Sequence, residues 1–451
     1  MYSKKLCSLA LAFTLFVPSL RQSASAQSAP GTHWVATWAS SQQIPRSSIV
    51  RPPTPPPPAD SAANTATAPA TPPAPPATRP ARSFNDQTVR MVMRASIGGS
   101  TLRVHLSNAF GTTPLVVGSA HIALRDKDSA IVPTSDRALT FNGKPSIIIP
   151  IGAEMISDPV ALTLPPLAEL TISVYVPGDT GPASTHALGL HTTWVKTGDV
   201  TAAPDLADGE KLQSWYWVSG VDVQAPAESA AIVALGDSIT DGATSTPDTD
   251  SSWPSVLSQR LAANPATAKI AVVNQGISGN QVLGDGAGVS ALARFDRDVL
   301  AQPGVKWLMI LEGINDMNAA GRPPAPGAPV ANTPPVTADD LIGAMKQMVL
   351  RAHDHGIKVI GCTLTPFGNA TDKTEAMRQA LNAFIRTPGA FDSVVDFDKV
   401  IQDPADPRQF RAGYNKSDKL HPNDAGYKAM ADAIDLSLFN ANPPAAPTKK
   451  K

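Results

Sequence analysis

At 451 residues the chain is longer than one ordinary domain, and 42% hydrophobic with 17% charged residues is a globular composition, so two domains are expected. Its 37 basic and 38 acidic residues leave a formal net charge of -1. That balance gives no electrostatic ground for binding nucleic acid or an anionic membrane surface, and small or neutral substrates suit it better.

The chain opens with Met1-Tyr-Ser-Lys-Lys5, an apolar run from Leu6 to about Leu20, and Ala24-Ser-Ala26 before Gln27. A basic start, a short greasy core and small residues at alternate positions predict a secretory signal, residues 1–26, cleaved after Ala26. The apolar run falls short of the roughly 20 residues of a spanning helix, and no later stretch is long enough, so no stable membrane insertion is expected. The destination is secreted or periplasmic. Of the two cysteines, Cys7 leaves with the signal. Cys362, alone in the mature chain and inside the apolar run Lys358–Leu364, reads as a buried structural thiol rather than a nucleophile.

From His33 to Val223 short β-branched runs alternate with Gly, Pro, Asn and Asp. Thr88–Arg94, Thr101–Ser107, Pro145–Pro150 and Leu170–Val176 are predicted strands, and their spacing predicts an all-β sandwich over residues 33–225. Residues 44–82 interrupt it with a tract of Pro, Ala and Thr, which offers few backbone donors and little to bury. It reads as a solvated insertion, with a proline-reading or cell-wall partner as the alternative.

After Ala227 the rhythm becomes buried strand, loop, amphipathic helix. Strands are predicted at 231–235, 270–274, 307–311, 358–364 and 394–397, and helices near 252–263, 338–355, 372–386 and 424–439. Thr337-Ala-Asp-Asp340 resembles a capping box, and Gly356 closes the same helix. This alternation predicts a mostly parallel sheet covered on both faces over 228–441, with ligands bound beyond the C-terminal strand ends. A second Pro-rich stretch, Arg322–Pro335, reads as a surface loop, and residues 442–451, ending in three lysines, as a disordered tail.

Chemistry is sought at those strand ends. The first strand runs into Gly236-Asp-Ser-Ile-Thr-Asp-Gly242, with a helix expected about ten residues later. Ser238 there would project at the rim of the sheet, but by position alone it reads equally as a turn or capping residue. A serine needs a base, and Asp418-Lys-Leu-His421 stands just before the last helix. Three residues of separation let the carboxylate hold the imidazole Nδ1–H and leave Nε2 for the serine, although the pair could merely shape a turn. Donors for an oxyanion could come from Asn274-Gln-Gly-Ile-Ser-Gly-Asn280 and Glu312-Gly-Ile-Asn-Asp316.

Together these blocks resemble the GDSL/SGNH hydrolases: Gly-Asp-Ser-Ile-Thr at 236–240, Gly279, Gly-x-Asn-Asp at 313–316 and Asp-x-x-His at 418–421, in the family's order. The resemblance covers about 228–440. It implies a flavodoxin-like α/β/α domain, Ser238 as nucleophile, an Asp418/His421 relay, and an oxyanion hole from the Ser238 N–H, the Gly279 N–H and the Asn315 side chain. Gly279 is taken over Gly276 because it matches the family's Ser-Gly-Asn/Asp pattern. Trp34–Ser40, Leu106–Gly111 and Val218–Asp222 look like the jelly-roll-like β-rich region that precedes the hydrolase domain in a two-domain bacterial subgroup. The long Pro-rich insertion departs from the compact form of that region.

The expected function is exported serine esterase, hydrolysing small-molecule or polysaccharide esters through an acyl-enzyme, with acylated carbohydrate as one substrate class. The alternative is an exported carbohydrate-binding protein with a silent hydrolase-like domain. Asp237, Asp241 and Asp316 read as loop-shaping residues. His353 and His355 lie at a helix end, and His33, His105, His121, His186 and His191 are scattered through the β half. No metal-ligand spacing is present, Gly284–Gly288 lacks the Lys-Ser/Thr ending of a phosphate loop, and no cofactor is implied.

Overall fold

The computed structural model describes residues 31–45, 48–49, 78–79, 81–321, 335–368 and 370–440. The expected signal 1–26, most of the Pro-rich tract 44–82, the stretch 322–335 except its last residue, and the tail 442–451 lie outside the described residues. Among the described residues no helix is long and apolar enough to cross a membrane.

The first half is antiparallel. One sheet orders Thr32–Ala39, Val218–Pro226, Gly99–Ser107 and Glu154–Ile156, with Val160–Leu164 also on Gly99–Ser107. The other orders Glu210–Leu212, Thr193–Thr197, Gln87–Arg94, Glu169–Val176, Ser119–Leu124 and Arg137–Ala138. Alternating side chains of both, among them Leu102, Val104 and Leu106 of the first and Val89, Met91 and Ile172 of the second, close one core. The opposite face of Gln87–Arg94 is covered too: the buried Arg90 donates to the Ser129, Thr201 and Ala203 carbonyls, and Val92 meets Trp194 and Leu206.

The second half is a five-stranded parallel sheet ordered Ile270–Gly276, Ala230–Gly236, Val305–Leu311, Lys358–Cys362, Ser393–Val395. In chain order within this sheet that is 2-1-3-4-5, the doubly wound order whose reversal at the first strand opens a crevice. Ala230–Gly236 is buried along its whole length, as a central parallel strand must be. Ala338–Asp354 opens with a capping box, Thr337 and Asp340 exchanging side-chain and backbone bonds.

Several predicted boundaries shift. The helix expected ten residues beyond the nucleophile block is preceded by a one-turn helix, Ser238–Asp241, that begins at the serine itself. The last helix stops at Asp432, and Leu436–Phe439 is a separate 3₁₀ turn. The fifth strand ends at Val395, because Asp396 accepts from the Lys399 amide and opens a short helix, Phe397–Ile401. Ala291–Phe295, which continues as a wider π-helical turn over Asp296–Leu300, and Ile314–Gly321 are helices without a sequence forecast.

The halves share a packed seam. Val35 and Trp38 of Thr32–Ala39 face the β core, whereas Ala36 and Ala39 join the core of the parallel sheet. The small alanines let the two sheets approach. Polar groups tie the seam: Val272 N donates to Ser96 Oγ at 2.8 Å, and Ala36 N donates to the Pro303 carbonyl at 2.9 Å.

Candidate active site

The turn that carries Ser238 is built from its own block. Asp237 caps the one-turn helix by accepting from the Ile239 amide at 2.9 Å. This leaves the Ser238 N–H as one of the first amides of a helix, which have no intrahelical acceptor. The Asp237 side chain is so deeply buried that its pKa is pushed up to about 7, despite the Ile239 amide and aided by the nearby Asp316 and Asp241.

Asp418 does two jobs with one carboxylate. Its Oδ1 accepts from the Leu420 and His421 amides at 3.0 and 3.1 Å and closes the turn; its Oδ2 accepts from His421 Nδ1 at 2.6 Å. One carboxylate thus bonds both to the turn amides and to the imidazole. Partial burial raises the Asp418 pKa, but the bonds from His421 and the two amides outweigh it and hold the carboxyl below its usual range. His421 Nε2 then lies 2.7 Å from Ser238 Oγ, across 183 residues of sequence.

That meeting is enforced by neighbouring contacts. Thr244 Oγ1 donates to the Pro422 carbonyl at 2.7 Å, the Thr246 amide and hydroxyl donate to Asp424 at 2.8 and 2.6 Å, and the Tyr427 hydroxyl donates to the Ala243 carbonyl at 2.7 Å. The loop after the serine is thus zipped to the helix after the histidine. Asn423 caps that helix by accepting from the Gly426 amide.

The two donor loops flank the serine. Gly276 ends its strand against Asp241, where an added Cβ would come within 2.2 Å of the Asp241 amide nitrogen, so this glycine serves close packing. Gly279 lies in the following turn at φ 81°, a left-handed conformation costly for other residues. Asn315 Nδ2 donates one hydrogen to the Asn280 carbonyl at 2.9 Å, which fixes the amide and leaves its second N–H for another acceptor. Asp316 accepts from the Val282 and Leu283 amides at 2.8 and 3.1 Å and so shapes the same loop; burial nevertheless raises its pKa.

Behind these loops lies a residue that the sequence did not single out. Arg294, 1% exposed, donates to the Gly236 carbonyl, the Gln275 carbonyl, Asn280 Oδ1 and Ser41 Oγ, and pairs with Asp298 at 3.0 Å. Its Nη2 is 3.8 Å from Glu312, whose pKa burial and the adjacent Asp237 drive well upward against the pull of Arg294. One guanidinium therefore touches or faces all three sequence blocks around the serine. Arginine on a short helix normally reads as solvated, so the sequence held no signal for it.

Other expected positions fall elsewhere. Cys362 is buried and its thiol pKa is pushed up by burial alone. His353 pairs with Asp392 at 2.8 Å on the surface. Glu169, His191 and Asp250 bring possible ligand atoms within 4.8 Å of one another. Arg125 and Arg94 already pair with Glu169 and Asp250, at 3.0 and 3.4 Å, so both carboxylates have cationic side-chain partners. Next to the relay, Asn318, Gly321, Phe367, Thr371, Thr374, Lys419 and Leu420 line a cleft of about 260 Å³.

Residues 232–434 match the family model described as GDSL-like Lipase/Acylhydrolase, so this part of the chain is a GDSL-like lipase/acylhydrolase domain. The comparison with curated proteins finds no match. Similar solved structures include a protein assigned to the G-D-S-L lipolytic family from Desulfitobacterium hafniense, 25% identical, covering 46% of this chain and 97% of that one at a TM-score of 0.34. An acetylxylan esterase from Geobacillus stearothermophilus is 25% identical over 45% of this chain and 91% of its own, at a TM-score of 0.35. A GDSL-like lipase from Bacteroides thetaiotaomicron is 21% identical over 45% and 84%, at a TM-score of 0.32.

Proposed function

We propose that the chain is an exported serine esterase that hydrolyses carboxylic esters through an acyl-enzyme, with acylated carbohydrate as its substrate class. The single observation that carries the reaction is the continuous line of hydrogen bonds from Ser238 Oγ to His421 Nε2, and from Nδ1 to Asp418, at 2.7 and 2.6 Å. Export rests on the pattern of the first 26 residues.

In this reading Ser238 Oγ attacks the ester carbonyl while its proton passes to His421 Nε2. The imidazolium formed is held by Asp418, which stays ionised because its pKa is below the normal range. The carbonyl oxygen gains charge between the Ser238 N–H, the Gly279 N–H and the free hydrogen of Asn315. His421 then returns the proton to the departing alkoxide oxygen. Water repeats the sequence on the acyl-enzyme, its proton taken by His421 and given back to Ser238 Oγ.

The carbohydrate assignment rests on the cleft beside His421. At about 260 Å³ it lies just below the ~300–1,000 Å³ usual for small-molecule pockets. Asn318, Thr371, Thr374 and Lys419 offer hydrogen-bonding groups beside the apolar Phe367 and Leu420. Such a wall suits a hydroxylated leaving group with a short acyl chain better than a long lipid tail. Acetylated xylo-oligosaccharides tested beside nitrophenyl esters of increasing acyl length decide this: the reading expects acetyl esters to be cleaved fastest, and a preference for long acyl chains contradicts it.

A further inference from the structure

The β-rich half reaches the catalytic turn through one buried side chain. His186, 3% exposed, lies on the two-residue strand Thr185–His186 and stacks on Trp215 with ring centroids 5.6 Å apart. Its Nδ1 is 2.8 Å from the Ser41 carbonyl and its Nε2 is 3.0 Å from Asp241 Oδ1. Both partners are acceptors, so both ring nitrogens are called on to donate, and only the imidazolium does so. Burial disfavours that cation and Arg294 opposes it, but Asp241 and the Ser41 carbonyl together outweigh both, so the pKa is raised.

The other oxygen of Asp241 faces the opposite way. Oδ2 accepts the Ser278 amide at 2.8 Å and the Ser278 hydroxyl at 2.6 Å. Ser278 immediately precedes Gly279, and Asp241 closes the one-turn helix that begins at Ser238. Asp241 thus joins the serine turn to the Gly279 loop, and its two oxygens are committed to His186 and Ser278.

We propose that His186, a residue of the β-rich half, is a positioning residue of the active site: by pairing with Asp241 it fixes the carboxylate that sets the Gly279 amide beside Ser238. The proposal rests on the esterase reading above. Without the imidazolium, Asp241 is a buried carboxylate short of one donor, and protonation or rotation to regain one disturbs its two bonds to Ser278. A displaced oxyanion donor weakens transition-state binding more than substrate binding, so the loss falls on kcat. The cleft beside His421, lined by other residues, keeps its shape and KM changes little.

The test uses the mature chain with nitrophenyl acetate, with far-UV circular dichroism and thermal unfolding as checks of folding. His186→Phe keeps an aromatic ring against Trp215 but removes both donors; His186→Gln restores a donor near the Nε2 position. Misplacement by about 1 Å costs on the order of 100-fold, so His186→Phe is expected to lower kcat by about 10- to 100-fold, with KM within about threefold, and His186→Gln to recover most of the loss. A folded His186→Phe with kcat within about twofold of the parent, or a loss that Gln does not repair, overturns the positioning role. If the Phe variant does not fold, His186→Gln against His186→Asn decides, since Asn reaches only as far as Nδ1: equal kcat values overturn the proposal, and a tenfold advantage for Gln supports it. A parent without Ser238-dependent turnover is a different failure, which removes the esterase reading and the positioning role with it.

Discussion

Arg294 donates to the carbonyl of Gly236, two residues before the candidate nucleophile, at 3.0 Å from a fully buried guanidinium. The same group reaches Ser41 Oγ in the β-rich half at 2.9 Å and the Gln275 carbonyl beside the second donor loop. Arg294→Met keeps the bulk and removes every donor, leaving buried carbonyls unsatisfied and Asp298 with Arg297 as its remaining cation. Breaking a buried pair of this kind costs about 3–5 kcal/mol. Urea denaturation is expected to show a loss in that range; a change under about 1 kcal/mol contradicts the anchoring role.

Ser238→Ala separates an esterase from a binding protein with a silent hydrolase-like domain. Removing the nucleophile of such a relay lowers kcat by on the order of 10³-fold or more. The side chain is small, and among the described residues its hydrogen bond is to His421, so the thermal midpoint is expected to change little. Nitrophenyl ester turnover that survives the substitution removes Ser238 from the chemistry.

Asp418→Asn tests the relay apart from the turn. The asparagine keeps an oxygen for the Leu420 and His421 amides, but its amide group cannot accept the His421 Nδ1 proton as the carboxylate does. We expect kcat to fall by about 10²- to 10⁴-fold, with stability within about 1 kcal/mol of the parent. Matched turnover in a natively folded variant excludes the relay.

Two histidines of the β-rich half carry a pH signature, one paired across the seam and one within that half. His191 is buried and His105 partly so, which disfavours their charged forms, yet Asp248 and Asp250 around the first, and Asp222 and Glu154 around the second, raise each pKa from 6.5 to about 9. His191 Nδ1 faces Asp248 at 3.6 Å, too far for a hydrogen bond, so that contact is an ion pair, while Nε2 is 3.1 Å from Asp250. Because the folded state binds these protons more tightly, the stabilisation is complete below pH 6.5 and is lost as pH rises through about 9. Each histidine contributes at most about 3 kcal/mol. Unfolding midpoints are expected to fall between pH 6 and 9.5, with a shallower fall in His191→Gln; a flat parent profile argues against the ion pairs.

Cys362 offers a simple check of the core. Its thiol is fully buried and burial drives its pKa upward. A thiol reagent is expected to modify it only in denaturant, and Cys362→Ala to leave kcat within about twofold. Rapid labelling of the native chain would place the thiol at the surface instead.

The residues of the parallel half announced themselves because their physics is local. An unbroken apolar run such as Ala231–Leu235 has no polar side chain to expose and goes to the centre of a sheet. Thr337 and Asp340 satisfy each other's helix end within four residues, and Asp418 and His421 lie within reach on one turn. The short helices were harder: Ser238–Asp241 has four residues, too few for a helical period, and exists because Asp237 and Gly242 terminate it.

What sequence alone determined, then, was which residue types could attack, relay a proton and donate to an oxyanion, and on which loops they sit. Tertiary structure decided that Ser238 and His421 meet, that Arg294 and Asp241 bind the loops into one frame, and that His186 of the other half completes it. The physical reason is desolvation. A lone Arg, His or Asp in a sequence looks solvated, and only burial against a distant partner of opposite charge turns it into a structural necessity.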